Sequence, residues 1–334
     1  MHYSSYLQLD KILSAQELES DRLNKHAHDE MLFIVIHQSY ELWFKQIIFE
    51  MSSVHKMLSS EINDNGPELQ ITVRRLNRVV EILKVLVNQV DILETMTPLD
   101  FLDFRDMLRP ASGFQSMQFK ELETMLGLKV EERHGKEYFT SQLKPEDAEK
   151  IYEQAKDESI ISLVNAWLER MPYFNNEEIW QEAGKKDFWT LYREIYANSL
   201  RDGETNNLIL FDELFMTDHI LDDRKLSDKA RRAALFITIY RDYPILQNPF
   251  RVINHLLEID ELLANWRWRH MNMVHRMIGI RVGTGGSSGK GYLREAALKH
   301  YVFTEFAELT SFLIERSHLP ELPAQLKKIL GYYS

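Results

Sequence analysis

Apolar residues recur at steps of three and four along most of this chain, which is the period of an α-helix. The clearest such stretch runs from Asp29 to about residue 59, and a second covers 67–94. Thr97 and Pro98 are residue types that favour the N-cap and first position of a helix, so a short third helix should begin there and end before Pro110. We predict further helices over 176–199, 207–222, 228–241, 247–278, 291–316 and 321–331. Because the alternation typical of strands is nearly absent, the pattern predicts an all-α helical bundle.

The composition agrees with long helices and marks one exception to them. The 334 residues include only 13 glycines and 9 prolines, while 44% are apolar, which is enough for a large core. The length allows one large domain or two modest ones. We find no low-complexity linker and no internal repeat, and we expect a single domain over residues 1–334. Six of the 13 glycines fall within 279–291, so a loop is predicted there.

Cysteine content and charge exclude several classes of function. The chain has no cysteine, which excludes disulfides, a thiolate nucleophile and iron–sulfur clusters, so any metal must be held by other side chains. The net charge of −11 disfavours nucleic acid as a partner. No apolar run approaches the roughly 18 residues of a membrane span, and the N-terminus lacks the pattern of a signal peptide. We therefore expect a cytoplasmic protein with no membrane partner.

The first candidate site is an aromatic stripe around a histidine. Phe33, His37, Tyr40 and Phe44 share one face of the first long helix. Such a stripe could form the wall of a small-molecule pocket with one directed hydrogen-bonding group. Equally, His37 could be a core histidine whose partner is the carboxylate of Glu41, one turn away.

A second candidate lies on the short third helix, where Phe101 and Arg105 are one turn apart. An arginine beside an aromatic ring is suited to binding a carboxylate through two parallel hydrogen bonds. The alternative is a structural ion pair between Arg105 and Asp103 or Asp106.

The third candidate is His270, which shares a helical face with Trp266 and Met273 just before the glycine-rich stretch. It could be a core residue or an axial ligand to a flat apolar cofactor such as haem. His275 is five residues further on and should point elsewhere. The glycine-rich stretch matches neither a phosphate-binding loop nor a dinucleotide-binding fingerprint.

A fourth candidate is the cluster around His26 and His28, which could serve a non-haem iron site together with a nearby carboxylate. However, the cluster also begins a helix, where acidic residues such as Asp29 are expected for capping.

Taken together, four segments resemble the tryptophan 2,3-dioxygenases, a family of haem enzymes that open the indole ring of L-tryptophan. The resemblance covers both ends of the chain in the family's order, but we find no family motif between about 130 and 260. The four segments are YSSYLQLDKIL, HDEMLFIVIHQSYELWFKQI, PLDFLDFRDMLRPASGFQSMQF and RHMNMVHRMIGIRVGTGGSSGKGYLR.

The resemblance implies a role for each matched residue. His270 corresponds to the proximal ligand of the haem iron, and His37 to the catalytic distal histidine that accepts a hydrogen bond from the indole N–H. Arg105 corresponds to the clamp for the substrate carboxylate, and Thr284 to a loop residue at the amino-acid end of the substrate. The remaining matched residues line the substrate pocket in the family: Phe33, Phe101, Leu108, Ser112, Gly113 and, from a neighbouring subunit, Tyr3, Tyr6 and Leu7.

The resemblance also implies the reaction, the cofactor and the assembly. The family uses haem b and O2 to convert L-tryptophan to N-formylkynurenine, the first step of tryptophan catabolism by the kynurenine pathway. We therefore expect a homotetramer in which residues 1–25 of one chain reach a neighbour's site. Two alternatives are a haem enzyme of the same fold that acts on another indole, for example as a monooxygenase, and a non-enzymatic helical protein that binds haem or tryptophan.

Overall fold

The computed structural model describes residues 1–60, 66–129, 143–171, 177–184, 186–217, 224–281 and 290–331. Within these ranges the chain forms helices α1 to α17 and no strand, which confirms the all-α prediction. In chain order the helices are Tyr3–Leu7, Leu9–Ile12, Glu19–Arg22, Glu30–Leu58, Pro67–Leu93, Pro98–Arg105, Met117–Leu126, Pro145–Gln154, Ile160–Glu169, Glu177–Glu182, Phe188–Ser199, Thr205–Phe215, Asp228–Ile239, Pro244–Ile278, Lys290–Lys299, Thr304–Glu308 and Ala324–Leu330.

The centre of the fold consists of the three longest helices, because α5 packs against both α4 and α14. Their apolar stripes supply fully buried residues such as Ile47, Leu76 and Leu256, as the spacing predicted. The starts of α4 and α6 also follow the prediction, with Asp29 and Thr97 at the N-cap positions. The Thr97 hydroxyl accepts a hydrogen bond from the backbone N–H of Asp100, whose carboxylate accepts one from the N–H of Thr97. The α6 helix is thereby fixed at its first turn.

Three predicted helices differ from the structure. The helix expected over 176–199 is divided into α10 and α11, because Gly184 has φ +67° and Asp187 caps α11 through the N–H of Thr190. The helix expected over 207–222 is α12, which ends at Phe215, and 218–223 lie outside the described residues. The helix expected over 291–316 ends at Lys299, with the chain bending before α16.

A buried carboxylate accounts for that bend. Asp260, on α14, accepts hydrogen bonds from the backbone N–H groups of Val302 at 2.9 Å and of Phe303. These N–H groups would otherwise need partners one turn back in a continuous helix. Burial raises the pKa of Asp260 to about 6, although the two N–H donors oppose the shift.

The raised pKa of Asp260 predicts a pH-dependent contribution to stability. The folded chain holds this proton up to about pH 6, whereas the ordinary pKa is 3.8, so the free energy of unfolding should fall as pH rises between these values. The difference corresponds to about 3 kcal/mol. Asp260→Asn keeps an oxygen acceptor but does not titrate. Urea unfolding at pH 4 and pH 7 should therefore show wild type losing about 2 kcal/mol relative to the variant, since part of the change lies below pH 4.

The exposed Asp103 provides the control, since Asp103→Asn should leave the wild-type pH dependence in place. Parallel pH profiles for wild type and Asp260→Asn would contradict the assignment of this titration to Asp260.

Hydrogen bonds attach the second half of the N-terminal segment to α4. The Glu30 carboxylate accepts hydrogen bonds from the N–H groups of Glu19 and Ser20, both at 2.9 Å, and Gln38 donates to the carbonyl of Ala15. Helices α1 and α2 contain no buried residue. Apart from the half-buried Ser4 and Leu9, residues 1–14 of the predicted 1–25 arm are exposed in this chain.

None of the helices in the described ranges is both long enough and apolar enough to cross a lipid bilayer.

Candidate functional site

A cavity of about 290 Å³ lies between α4, α5, α6, α7, α14 and α15. This is close to the lower end of the range for small-molecule sites. Seven of the residues predicted for the site line it: Phe33, His37, Phe101, Arg105, Ser112, Gly113 and His270. Residues far apart in the sequence are thereby brought to one place.

Aromatic rings form one wall of the cavity. The ring of Phe33 stacks on that of Phe101, with 5.8 Å between centroids, and both contact Phe104 edge-on. On the other side, Phe33 lies 4.1 Å from the imidazole of His37. Because Phe33 and His37 are one turn apart on α4, the helix itself brings the two rings together. The wall suits a flat aromatic ligand.

His37 is held in one tautomer by the backbone. Its Nδ1 lies 2.7 Å from the carbonyl oxygen of Phe33, which can only accept, so Nδ1 carries the proton. Burial lowers the pKa of His37, so the imidazole is neutral near pH 7 and Nε2 keeps a lone pair. Glu41 is not its hydrogen-bond partner, since that carboxylate accepts from Gln118 at 2.8 Å. His37 therefore presents a hydrogen-bond acceptor at Nε2 and carries no charge.

Arg105 and the turn after α6 supply polar groups to the same cavity. Arg105 is the last residue of α6 and is only 5% exposed, while Asp106 contacts Arg109. The Ser112 hydroxyl caps the short turn 113–115, and a Cβ added at Gly113 would meet no atom within 4 Å. The cavity therefore has open space beside a buried guanidinium.

His270 faces this space from α14. Its ring stacks on Trp266, one turn earlier, at 5.4 Å and an angle of 8°. Within the described residues no hydrogen bond holds either ring nitrogen, and burial lowers its pKa to about 4. A neutral imidazole with a free lone pair is the form that binds iron. His275 is exposed, as its spacing predicted.

These features fit a haem better than a bare metal ion. Across the described ranges, no group of three or more histidine or acidic side chains could hold a metal. A haem brings four ligands of its own and needs only one from the protein, which His270 could supply. His26 bonds instead to Asp21 at 2.6 Å on the surface, which disfavours the iron site considered around it.

Five of the predicted residues are placed elsewhere or lie outside the described ranges. Leu108 packs against the hydrophobic core beside the cavity and is not part of its lining. Tyr3 and Tyr6, on α1, are 72% and 69% exposed, and Leu7 is also exposed, so none of them lines the cavity of its own chain. Thr284 lies outside the described residues.

Sequence reasoning missed a polar cluster in the same cavity wall. Glu123, Arg267 and His300 are all buried there, on α7, on α14 and just after α15. A signal for Arg267 was present, because it falls in phase with the buried residues Leu263 and Met271 on α14. A charged residue among the buried positions of a helix predicts a buried partner of opposite charge, although the sequence does not say which residue that partner is.

Comparison with known proteins gives one consistent result. Residues 1–313 match the family model described as tryptophan 2,3-dioxygenase. The chain is 42% identical to a curated protein named tryptophan 2,3-dioxygenase from Bdellovibrio bacteriovorus, over 100% of this chain and 98% of that protein. It is 41% identical to proteins of the same name from Aedes aegypti, covering 99% of this chain and 90% of that one, and from Xenopus laevis, covering 98% and 86%.

Proposed function

This chain belongs to the tryptophan 2,3-dioxygenase family, and on that basis we propose that it cleaves the indole ring of L-tryptophan with O2. The C2–C3 bond breaks and each of these carbons takes one oxygen atom. C2 becomes the formyl carbon and C3 the ketone carbon of N-formylkynurenine. No external reductant is needed, because both atoms of O2 enter the product.

One observation carries the proposal. A single cavity brings together an aromatic wall, a neutral histidine acceptor, a buried guanidinium and a second neutral histidine, namely Phe33, His37, Arg105 and His270. L-Tryptophan has the complementary groups, which are a flat indole with an N–H donor and a carboxylate. When bound at His270, haem b would supply the redox-active iron that O2 chemistry requires.

The side chains of this chain bind and orient the substrate. Phe33 and Phe101 provide the apolar surface for the indole and keep water from it. Arg105 would bind the carboxylate through two charge-assisted hydrogen bonds. Holding both ends of the substrate limits its motion, and such positioning can supply several kcal/mol of a reaction barrier.

His37 would accept the indole N–H at Nε2, because Nδ1 is committed to the Phe33 carbonyl. In this role it selects and orients the substrate, and the reaction needs no proton transfer to it.

The proposed function is tested by spectra and product analysis of the purified protein loaded with haem. We expect a Soret band that shifts when L-tryptophan is added to the ferrous protein, and absorbance of N-formylkynurenine on exposure to air. With ¹⁸O2, the product should gain two labelled atoms. Incorporation of one atom would support the monooxygenase alternative, and absence of a Soret band would overturn the proposal.

His37→Ala is expected to reduce the discrimination between L-tryptophan and 1-methyl-L-tryptophan. The methylated substrate cannot donate the N–H bond, which is worth about 1 kcal/mol, or about fivefold in kcat/KM. The variant lacks the acceptor, so the kcat/KM ratio of the two substrates should fall towards one.

Tyr40→Phe is the matched control for the His37 variant. It alters the same wall of the cavity without removing the imidazole, so it should keep the wild-type kcat/KM ratio. An unchanged ratio in His37→Ala would contradict the indole hydrogen bond.

We also propose a homotetramer in which residues 1–14 of one chain complete the cavity of a neighbour. Tyr3 and Tyr6 support this arrangement, because they expose large aromatic rings on a helix without a buried residue. The contacts of Glu30 and Gln38 would fix the point from which the arm departs.

A further inference from the structure

The ion pair between Glu123 and Arg267 has no part in the mechanism above, although both residues line the cavity. Their side chains are only 5% and 7% exposed. A buried ion pair is poor support for stability, since desolvation of the two charges offsets their attraction. Its location in the cavity wall therefore raises the question of what else it does.

The contacts of Arg267 reach two other helices. Its Nη2 donates to the Glu123 carboxylate on α7 at 2.6 Å, and its Nη1 donates to the carbonyl of His300, at the end of α15, at 2.9 Å. The His300 Nδ1 lies 3.6 Å from the same carboxylate oxygen. One guanidinium thus connects three walls of the cavity.

These contacts act on the turn of α14 that carries His270. Arg267 follows Trp266 directly and precedes His270 by three residues. The guanidinium lies 5.8 Å from the ring of Phe119, which is also 5.1 Å from Trp266, the residue on which His270 stacks. Since α7 and the end of α15 hold Arg267 through separate hydrogen bonds, rotation of α14 about its axis would strain both of them.

We propose that Glu123 and Arg267 are positioning residues, which fix the rotation of α14 and so direct the imidazole of His270 at the haem iron. The inference rests on the proposed function, because it assumes that His270 binds haem. It adds one residue on the helix of His270 and one on α7, which control the proximal ligand without touching it. Partners of metal ligands commonly act in this way.

A second buried ion pair supplies a matched control. Arg231 and Glu305 are 3% and 9% exposed and 3.6 Å apart, and neither lines the cavity. Glu305 accepts a hydrogen bond from the N–H of Leu226, and Arg231 donates one to the carbonyl of the same residue. This pair therefore stabilises the loop that contains Leu226. Glu305→Gln therefore perturbs a buried carboxylate at a distance from His270.

The test compares Glu123→Gln with Glu305→Gln by three measurements on purified protein. These are thermal unfolding of the apoprotein, the dissociation constant for hemin, and the iron–histidine stretching band of the ferrous protein in resonance Raman spectra. Both variants should lower the apoprotein Tm. We expect only Glu123→Gln to weaken hemin binding, by about 10-fold or more, and to shift the iron–histidine band.

Two further variants and the wild type distinguish a failed inference from a failed fold or a failed proposed function. Glu123→Asp, which keeps the charge, should restore part of the wild-type hemin affinity. If Glu123→Gln does not fold, Arg267→Lys is measured instead. This variant keeps a positive charge beside Glu123, but an ammonium cannot reproduce the paired donors with which the guanidinium binds both Glu123 and the His300 carbonyl. Wild-type hemin affinity and an unshifted band in either folded variant would overturn the inference alone. Wild type that binds no hemin would overturn the proposed function, and the inference with it.

Discussion

His270→Ala is expected to yield a folded protein that retains no haem and forms no N-formylkynurenine above background. His270 faces the cavity as a neutral imidazole, and among the described residues it has no hydrogen bond to lose. Its removal therefore deletes the proposed ligand and leaves the packing of α14 largely intact. Haem content, the Soret band and the apoprotein Tm measure the two effects separately.

The control for His270→Ala is His275→Ala, five residues along the same helix and exposed. It should retain full haem content and activity. Added imidazole should restore a Soret band to His270→Ala, because the deleted side chain leaves room for it in the cavity. A His270→Ala protein with a wild-type Soret band would show that another side chain is the ligand.

Arg105→Ala is expected to lower kcat/KM for L-tryptophan by about 100-fold, mainly through KM. Two charge-assisted hydrogen bonds to the substrate carboxylate are worth at least about 3 kcal/mol together, and about 1.4 kcal/mol corresponds to tenfold. Arg105→Lys should recover little of the loss, since an ammonium cannot form the parallel pair of bonds. Steady-state kinetics with L-tryptophan measures the effect.

Tryptamine provides the internal control for Arg105→Ala, because it carries the indole but no carboxylate. Wild type and variant should differ little with this substrate. Arg109→Ala removes a more exposed arginine four residues away, and it should leave both substrates unaffected. Equal losses for L-tryptophan and tryptamine would mean that Arg105 supports the fold of the cavity and does not bind the carboxylate.

Local signals explain how much of the fold could be predicted. The stripe on α4 and the Thr97 cap of α6 are set by neighbours within one or two turns, and both were predicted correctly. The break between α10 and α11 also has local causes, Gly184 and the cap of Asp187, which the apolar spacing around them obscured. By contrast, the end of α15 depends on Asp260, which is 42 residues away from Val302, so no local pattern could indicate it.

The candidate site also combines features that local sequence predicts with features that depend on distant residues. His37 could be placed in an aromatic stripe from its spacing on α4, but its tautomer follows from a backbone contact that only the structure reveals. The partner of Arg267 could not be predicted, because Glu123 is 144 residues away in the sequence. For Arg105 the residues suggested either a carboxylate site or an ion pair, and the resemblance favoured the first, whereas the role of Thr284 came from the resemblance.

The length of α14 limits how this protein can be divided. At 35 residues the helix spans about 52 Å, and it begins beside α13 and ends at the cavity. A gene fragment that stopped before Pro244 would encode α4 and α5 without the helix that covers α5. A fragment that began there would present a long apolar face with no partner. Recombination within the family should therefore exchange whole chains or surface segments, and not halves.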